Sequence, residues 1–181
     1  MPDKFAMVDL ETMDTAATAA IVSIGAVIFD PRDVGEIISE FYAVVSLQDN
    51  QKVGRTISAG TVEWWLTQSQ EAREALFIDP RSLRDALTEF RVWYNEHQPS
   101  RFWANDPDFD GLILAHALRS QDMHVPWHFS ATRSVRTIKE LAHPEGDFPD
   151  FTAGKGTAHN ALADAAKQAM QVQYCYARLG C

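Results

Sequence analysis

Three strand-like segments follow one another in the first 45 residues, and they restrict the fold more than any other feature of the chain. Residues 4–11 and 21–29 are short apolar runs, and the second is rich in β-branched side chains. The turn sequence Asp-Pro-Arg-Asp closes the second run at residues 30–33, and a third run covers residues 37–45. Successive strands with short connections predict an antiparallel meander at the start of a sheet.

Helical periodicity dominates the middle of the chain. Either Ser58 or Thr61 is predicted to cap a helix that carries Val62, Trp65 and Leu66, because hydroxyl side chains satisfy the free N–H groups at a helix start. Residues 82–96 repeat apolar side chains at three- and four-residue steps, which predicts an amphipathic helix. The repeating positions are Leu83, Ala86, Leu87, Phe90, Trp93 and Tyr94.

Short strands and helices alternate in the remainder of the sequence. The predicted elements are strands at 101–104 and 127–130 and helices at 110–119, 134–142 and about 160–178. A Gly-, Pro- and Asp-rich segment at 143–157 predicts a loop. Strands first, then helices alternating with strands, are typical of an α/β sheet covered by helices. Because the chain has 181 residues and no long linker, we expect one domain over residues 1–181.

The composition is that of an ordinary soluble protein, with 46% apolar and 23% charged residues. No apolar run approaches the roughly 18–20 residues of a membrane-spanning helix, and the N-terminus lacks a secretory pattern. Cys175 and Cys181 are too few for a disulfide scaffold, which favours free thiols. We therefore expect a cytoplasmic protein with no membrane partner.

The formal charge of −9 argues against a protein that binds duplex nucleic acid regardless of sequence. Bound divalent ions would change the local balance, because each adds two positive charges to an acidic site. The net charge therefore leaves a metal-dependent nucleic-acid enzyme open.

Asp9 and Glu11 stand at the end of the first predicted strand, separated by the apolar Leu10. Alternate residues of a strand point to the same side, so these carboxylates are neighbours. Like charges held together in a partly buried place repel unless a cation neutralises them. Taken by itself, the motif is more typical of a solvated strand end.

Two further acidic residues, Asp110 and Asp164, have both a structural and a functional interpretation. Asp110 is placed at the first turn of a predicted helix, where the macrodipole favours a carboxylate, so a capping role is open. Asp106 and Asp108 are competitors in the same loop. Asp164 falls within an alanine-rich helix, where a carboxylate without a partner is costly. His159 precedes Asp164 by five residues, and alone it indicates no more than a loop histidine.

Together these motifs resemble the DEDDh family of 3′–5′ exonucleases. That family has an Asp-x-Glu on the first strand, an Asp at the start of a central helix and a His-x-x-x-x-Asp near the C-terminal helix. Asp9-Leu-Glu11 matches the first motif and His159-Asn-Ala-Leu-Ala-Asp164 matches the third. The matches cover nearly the whole chain and occur in the family's order.

In the second motif of the family, the ligand is the Asp that follows an aromatic residue, which favours Asp110 over Asp106 and Asp108. Within the family, the chain is similar to the short, single-domain branch of phage exonuclease A and of the bacterial 3′–5′ exoribonuclease that prefers adenylate tails. Residues 57–65 and the following Gln-Ser-Gln carry this second resemblance.

The resemblance implies an α/β protein with a ribonuclease H-like fold, in which helices flank a central mixed five-stranded sheet. It also implies a 3′–5′ exonuclease that hydrolyses single-stranded DNA or RNA from the 3′ end and releases nucleoside 5′-monophosphates. The oligomeric state stays open: similar family members of this size are often homodimers, and the apolar C-terminal helix with Tyr174, Tyr176 and Leu179 is a candidate interface.

The resemblance assigns a role to each residue of the constellation. Asp9 would bridge two Mg²⁺ or Mn²⁺ ions, Glu11 and Asp164 would complete the first ion's ligands, and Asp110 would bind the second. Oxygen ligands suit these ions, and a pair of them supports in-line hydrolysis. His159 would act as the general base, since a histidine titrates near working pH.

Substrate contacts are less clearly encoded. The candidate substrate-binding residues are Thr12, Met13, Trp64, Trp65 and Asn105. Trp103 is a further candidate for base stacking, although helical spacing requires one of Trp64 and Trp65 to face the core. Arg133, Arg136 and Lys139 recur at three-residue steps, which is typical of a phosphate-facing stripe or of a solvated helix face.

Two alternatives come from other functional classes. The first is a ribonuclease H-like endonuclease of the transposase or resolvase type, which lacks the His-x-x-x-x-Asp arrangement present here. The second is a catalytically silent nucleic-acid-binding or interaction module on the same fold. Stabilisation by Mn²⁺ relative to EDTA distinguishes an occupied metal site from such a module.

Overall fold

The computed structural model describes residues 3–149, 151 and 159–180. The strands are β1 (Phe5–Thr12), β2 (Ile21–Phe29), β3 (Ser39–Val44), β4 (Arg101–Ala104) and β5 (Thr132–Ser134). The helices are α1 (Leu47–Lys52), α2 (Ala59–Leu66), α3 (Gln70–Ala75), α4 (Leu83–His97), α5 (Asp110–Ser120), α6 (Val135–Ala142) and α7 (Ala161–Leu179). Within the predicted loop at 143–157, residue 150 and residues 152–157 lie outside the described part.

The five strands form one mixed sheet in the order β3-β2-β1-β4-β5. β1 and β2 pair antiparallel, as do β2 and β3, which confirms the predicted meander. β1 and β4 pair in parallel, as do β4 and β5. The register places Asp9 opposite Gly25 and Glu11 opposite Ser23. The predicted mixed, five-stranded sheet is therefore confirmed.

Helices cover both faces of the sheet. On one face α4 and α5 pack their buried side chains, such as Phe90 and Leu114, against Val8 and Ile24 of the sheet. On the other face α6 and α7 pack residues such as Val172 against a second set of strand side chains. Because both faces are covered, β2 is buried along its whole length, which explains its nearly continuous apolar sequence.

The prediction of a fifth strand at 127–130 is wrong. Phe129–Ala131 forms a turn of 3-10 helix, and the strand follows it at Thr132–Ser134. Trp127 is buried and stacks on Phe102 with ring centroids 4.1 Å apart, whereas Phe129 is 84% exposed. In a strand, the side chains of residues 127 and 129 would point to the same side. One of them is buried and the other is exposed, which fits a turn of 3-10 helix and not a strand.

Two helices were absent from the sequence prediction. α1 and α3 have six residues each, which is too short for an apolar period to show. Each begins at a serine cap: Ser46 accepts a hydrogen bond from the N–H of Asp49, and Ser69 accepts one from the N–H of Ala72. Their start signals were therefore in the sequence, but nothing marked their length.

The tyrosines of α7 pack against the rest of the chain. Tyr176 lies edge-on to Phe5 with ring centroids 5.8 Å apart, and Tyr174 stacks on His143 at 5.5 Å. Their rings therefore serve intramolecular packing, and of the three residues suggested for an interface Leu179 is the one that stays exposed. Among the described helices, none has the length and apolar character needed to cross a membrane.

Candidate active site

Asp9 and Glu11 end β1 on the side of the sheet that α7 covers. Val8 and Leu10 belong to the core beneath α4 and α5, whereas Met7 belongs to the core beneath α6 and α7. Side chains alternate along a strand, so Asp9 and Glu11 share the side of Met7. Carboxylates thus replace apolar residues at this end of an otherwise buried strand.

Asp110 reaches the same strand from the first turn of α5. The N–H of Leu10 donates a hydrogen bond to Asp110 Oδ1 at 3.1 Å, and the carboxylate is 4% exposed. This N–H is free to do so because the pairing of β1 with β4 covers only Phe5–Met7. The end of the parallel ladder therefore positions Asp110.

The two competing aspartates make other contacts. Asp106 forms an ion pair with Arg136 at 2.9 Å and accepts a hydrogen bond from the N–H of Asp108. Asp108 is exposed. The geometry thus brings Asp110 into contact with β1 and leaves the other two at the rim.

Asp164 projects from the first turns of α7, whose start is fixed against β2. Asn160 caps the helix by accepting a hydrogen bond from the N–H of Ala163 at 3.1 Å. A Cβ on Gly25 would lie 2.1 Å from the carbonyl carbon of Ala161, so only glycine permits this approach. Sequence reasoning missed Gly25, although glycine inside an apolar strand is a signal of close backbone contact.

His159 immediately precedes the cap of α7 and has a left-handed backbone with φ of 64°. This conformation is uncommon for a residue with a side chain and is tolerated where the surroundings impose it. Its ring lies edge-on to Trp64 with centroids 4.8 Å apart. One ligand atom from each of Glu11, His159 and Asp164 falls within 4.8 Å of the others, which is the geometry of a candidate cation site.

Burial raises the pKa of each carboxyl group in this cluster. Burial is the first cause for Asp9, and the charges of Asp110 and Glu11 raise its pKa further. The pKa of Glu11 is raised to about 8 by burial and by Asp164 and Asp110. The pKa of Asp110 is raised to about 7 by burial, against the lowering effect of the Leu10 N–H. Burial also raises the pKa of Asp164.

These pKa shifts show that the four carboxylates are costly to ionise together without a counter-charge. A divalent cation supplies that charge, and oxygen donors are the ligands that Mg²⁺ and Mn²⁺ prefer. The residues present therefore fit a divalent metal site.

One further contact to the cluster comes from a residue that sequence reasoning missed. Gln168 Nε2 on α7 donates a hydrogen bond to Asp9 Oδ1 at 2.7 Å. A glutamine four residues after Asp164 falls on the same face of a helix, which is the signal that could have identified it.

Two cavities flank the carboxylates, and Leu10 and Phe109 line both. One of about 290 Å³ is bordered by Glu11, Thr12 and Trp64, among other residues. The other, of about 280 Å³, is lined by Asp9, Leu10, Asn105, Asp106, Phe109, Asp110 and Arg136. Three of the five predicted substrate-binding residues, Thr12, Trp64 and Asn105, therefore border a cavity beside the acidic cluster.

The other two predicted substrate-binding residues are interior. Met13 is 6% and Trp65 4% exposed, and they share a small core cluster with Ala72 and Leu76. Trp65 Nε1 donates a hydrogen bond to the carbonyl oxygen of Thr12 at 3.0 Å. Because they are buried, these two side chains cannot stack directly on a base as predicted. They support the cavity wall from beneath. Trp103, at 4% exposed, is likewise buried.

The three basic residues at 133–139 do not form a common stripe. Arg133 donates hydrogen bonds to the carbonyl oxygens of Ser130 and Thr132. Lys139 places its ammonium 4.2 Å from the centre of the Phe148 ring. Arg136 is the member of the three that lines a cavity beside the carboxylates.

Comparison with known proteins places the chain among exonucleases. Residues 4–176 match the family model described as the 3′-5′ exoribonuclease Rv2179c-like domain. The chain is 27% identical over 199 residues to an exodeoxyribonuclease of Enterobacteria phage T4, a match that covers 93% of the chain and 87% of the relative.

Two solved structures share the fold. The nuclease domain of 3′hExo, described as a DEDDh family member bound to rAMP, aligns with a TM-score of 0.64 at 12% identity over 99% of this chain and 94% of that one. E. coli Exonuclease I in complex with a 5cy-dA13 oligonucleotide aligns with a TM-score of 0.65 at 16% identity over 98% of this chain. The match spans 41% of the Exonuclease I chain.

These matches confirm the predicted ribonuclease H-like fold and the resemblance inferred from the three motifs. Because the family model covers residues 4–176, the chain belongs to the Rv2179c-like 3′–5′ exoribonuclease domain family and is a 3′–5′ exonuclease acting on nucleic acid.

Proposed function

We propose that Asp9, Glu11, Asp110 and Asp164 hold two Mg²⁺ or Mn²⁺ ions, and that His159 acts as the general base on single-stranded 3′ ends. The observation that carries this proposal is the convergence of four carboxyl groups with raised pKa values from β1, α5 and α7. When bound, the ions would supply charge stabilisation for the attacking and leaving oxygens of the phosphodiester.

The residues of the chain would divide the remaining tasks. His159 would accept the proton of the attacking water, because it lies at the edge of the cluster beside Glu11 and Asp164. As the water oxygen bonds to phosphorus, the bond from phosphorus to the 3′ oxygen of the preceding nucleotide breaks. That oxygen becomes the new 3′-hydroxyl after protonation from solvent, and a nucleoside 5′-monophosphate leaves.

Trp64 would provide the stacking face for the terminal base. Its side chain is 42% exposed at the cavity of about 290 Å³, opposite residues that end β1. Aromatic stacking contributes about 1–3 kcal/mol per base, and it requires a base that is free of its pairing partner. This requirement supports a single-stranded substrate.

The central experiment is digestion of RNA and DNA oligonucleotides of the same sequence, each labelled at the 5′ or the 3′ end. RNA is the first substrate to test because the matching family is described as an exoribonuclease, and the phage relative makes DNA the necessary comparison. We expect Mg²⁺- or Mn²⁺-dependent shortening of the 5′-labelled strand in single-nucleotide steps, and slower shortening of a blunt duplex.

Two aspartates of the second motif provide the matched variants. Asp110→Asn should abolish activity, because this carboxylate touches β1 inside the cluster. Asp108→Asn should retain it, because Asp108 is exposed two residues away. Equal activity of both variants, or no release of nucleotides with either ion, would overturn the proposed site.

We also propose a single exonuclease domain over residues 1–181, a homodimeric assembly and a cytoplasmic location, as the sequence predicted. Limited proteolysis should show one resistant unit, and light scattering after size exclusion should give twice the chain mass of 20.3 kDa. Recovery in the cytosolic fraction tests the location. A monomer in solution would remove the homodimer from the proposal.

A further inference from the structure

Gln168 makes a direct contact with one of the proposed metal ligands. Its Nε2 donates a hydrogen bond to Asp9 Oδ1 at 2.7 Å, across the gap between α7 and β1. Its Oε1 is buried and has no hydrogen-bond partner among the described residues. The hydrogen bond to Asp9 therefore explains why an amide side chain stands at position 168.

We infer that Gln168 is a positioning residue that fixes Asp9 for cation binding, an inference that rests on the proposed function of the carboxylate cluster. A carboxylate oxygen accepts more than one contact, so the hydrogen bond to Oδ1 leaves Oδ2 and one lone pair of Oδ1 for cations. It also holds the carboxylate plane in one orientation, so that the carboxylate would be ready to hold a cation.

An amide is well suited to this position. It donates a hydrogen bond without adding charge, so Asp9 keeps the negative charge that attracts a cation. A lysine at this position would neutralise Asp9 and compete with the cation, while a glutamate would repel the Asp9 carboxylate.

The placement on α7 ties two parts of the site to one helix. Asp164 and Gln168 are four residues apart, so they share a helix face. One residue would bind a cation directly, and the other supports a ligand on β1. Residues that hydrogen-bond to metal ligands commonly contribute 10- to 100-fold to metal affinity or activity, roughly the size of effect expected here.

The test is Gln168→Met, which keeps the length and volume of the side chain and removes the donor. Mn²⁺ binding is measured by calorimetry and by the rise in melting temperature, and turnover is measured as a function of Mn²⁺ concentration. We expect Mn²⁺ affinity to fall by about 10- to 100-fold. Saturating Mn²⁺ should restore most of kcat, because Gln168 touches no reacting atom.

Gln173→Met is the matched control on the same helix. Gln173 donates hydrogen bonds to the carbonyl oxygens of Asp30, Asp33 and Glu36, none of which belongs to the carboxylate cluster. This variant should lower the melting temperature of the metal-free protein but leave Mn²⁺ affinity unchanged. An equal loss of affinity in both glutamine variants would indicate general displacement of α7 and would overturn the inference.

Two further variants separate the possible failures. Asp9→Asn should abolish tight Mn²⁺ binding; if it does not, the proposed metal site itself fails. If Asp9→Asn abolishes binding but Gln168→Met binds as wild type does, only the positioning role fails. Gln168→Lys keeps a donor and adds a charge, so its Mn²⁺ affinity should fall further than that of Gln168→Met, and wild-type affinity would contradict the inference.

Discussion

Gly25 in β2 and Ala161 at the start of α7 lie so close that a Cβ on Gly25 would be 2.1 Å from the carbonyl carbon of Ala161. Gly25 also pairs with Asp9 in the sheet. The same residue therefore adjoins Asp9, one of the proposed metal ligands, and contacts the start of the helix that carries Asp164. Backbone geometry thus connects two parts of the site that are distant in sequence.

Gly25→Ala should displace the first turn of α7, because the atoms in contact are backbone and cannot turn aside as a side chain can. Overpacking of this kind commonly costs about 1–3 kcal/mol of unfolding free energy. Misplacement of Asp164 by about 1 Å should lower turnover by about 100-fold. Thermal unfolding and single-turnover digestion measure these effects.

Gly60→Ala is the control for stability, because a Cβ on Gly60 meets nothing within 4 Å. Alanine is also the better helix former in α2, so this variant should unfold at or above the wild-type temperature. Wild-type stability and turnover of Gly25→Ala would show that α7 adjusts freely.

Metal removal should change the stability of the folded chain. A ligand that binds only the folded state adds about 2.7 kcal/mol at a concentration 100 times its Kd. For a protein of this size that corresponds to a rise in melting temperature of roughly 5–10 °C over the EDTA-treated sample. Asp164→Asn should lose this rise, whereas exposed Asp108→Asn should keep it.

The pH dependence of stability should reverse sign with metal. Without metal, the pKa values of Glu11 and Asp110 in the folded state are about 8 and about 7, above the ordinary values of 4.5 and 3.8 for these side chains. At a pH between the ordinary pKa of each group and its raised pKa, the folded state holds a proton that the unfolded state has lost. The stability that they contribute is present below pH 4 and is lost as pH rises through about 7 and 8.

Urea unfolding in EDTA at pH 5.5, 7 and 8.5 should therefore give falling unfolding free energies, and Glu11→Gln should show a shallower fall. In saturating Mn²⁺ the trend should reverse, because cation binding requires deprotonated ligands. A slope in EDTA that Glu11→Gln leaves unchanged would contradict the raised pKa of Glu11.

The sequence predicted those parts of the site that depend on order along the chain. Asp9, Glu11 and the His159–Asp164 pair occur in motifs, and the aromatic residue before Asp110 distinguished it from its neighbours. The contacts between distant segments were not predictable from one sequence. Gly25 and Gln168 each carry a local signal, but what they touch depends on how β2, α7 and β1 meet.

The same distinction explains the errors in the fold. Trp127 and Phe129 alternate like strand residues, but the ring of Phe102 determines which one is buried. Met13 and Trp65 were candidates for base stacking by residue type, whereas tertiary packing placed them beneath the cavity wall. Residue type therefore predicted the neighbourhood of the site, and only packing decided which side chains face it.

His159→Asn should separate proton transfer from metal binding. Asparagine tolerates the left-handed backbone at this position, so the substitution should fold without added strain. Loss of a general base commonly lowers turnover by about 10²- to 10⁴-fold. The rise in melting temperature with Mn²⁺ should persist, and exposed His124→Asn should behave as wild type in both assays. Normal turnover of His159→Asn would remove this residue from the mechanism.

Arg136 should bind a substrate phosphate outside the scissile bond. Its guanidinium lines the cavity that contains Asp9 and Asp110, held there by an ion pair with Asp106 at 2.9 Å. Arg136→Gln should raise KM for oligonucleotides on the order of tenfold with little change in kcat, since hydrogen bonds between charged groups are the stronger ones. Dinucleotides, which lack the additional phosphate, should be affected least.

Lys139→Gln on the same helix should leave KM unchanged, because that ammonium packs over the Phe148 ring. Equal effects of the two substitutions, or equal loss on dinucleotides and longer strands, would indicate general electrostatic attraction in place of a specific phosphate contact.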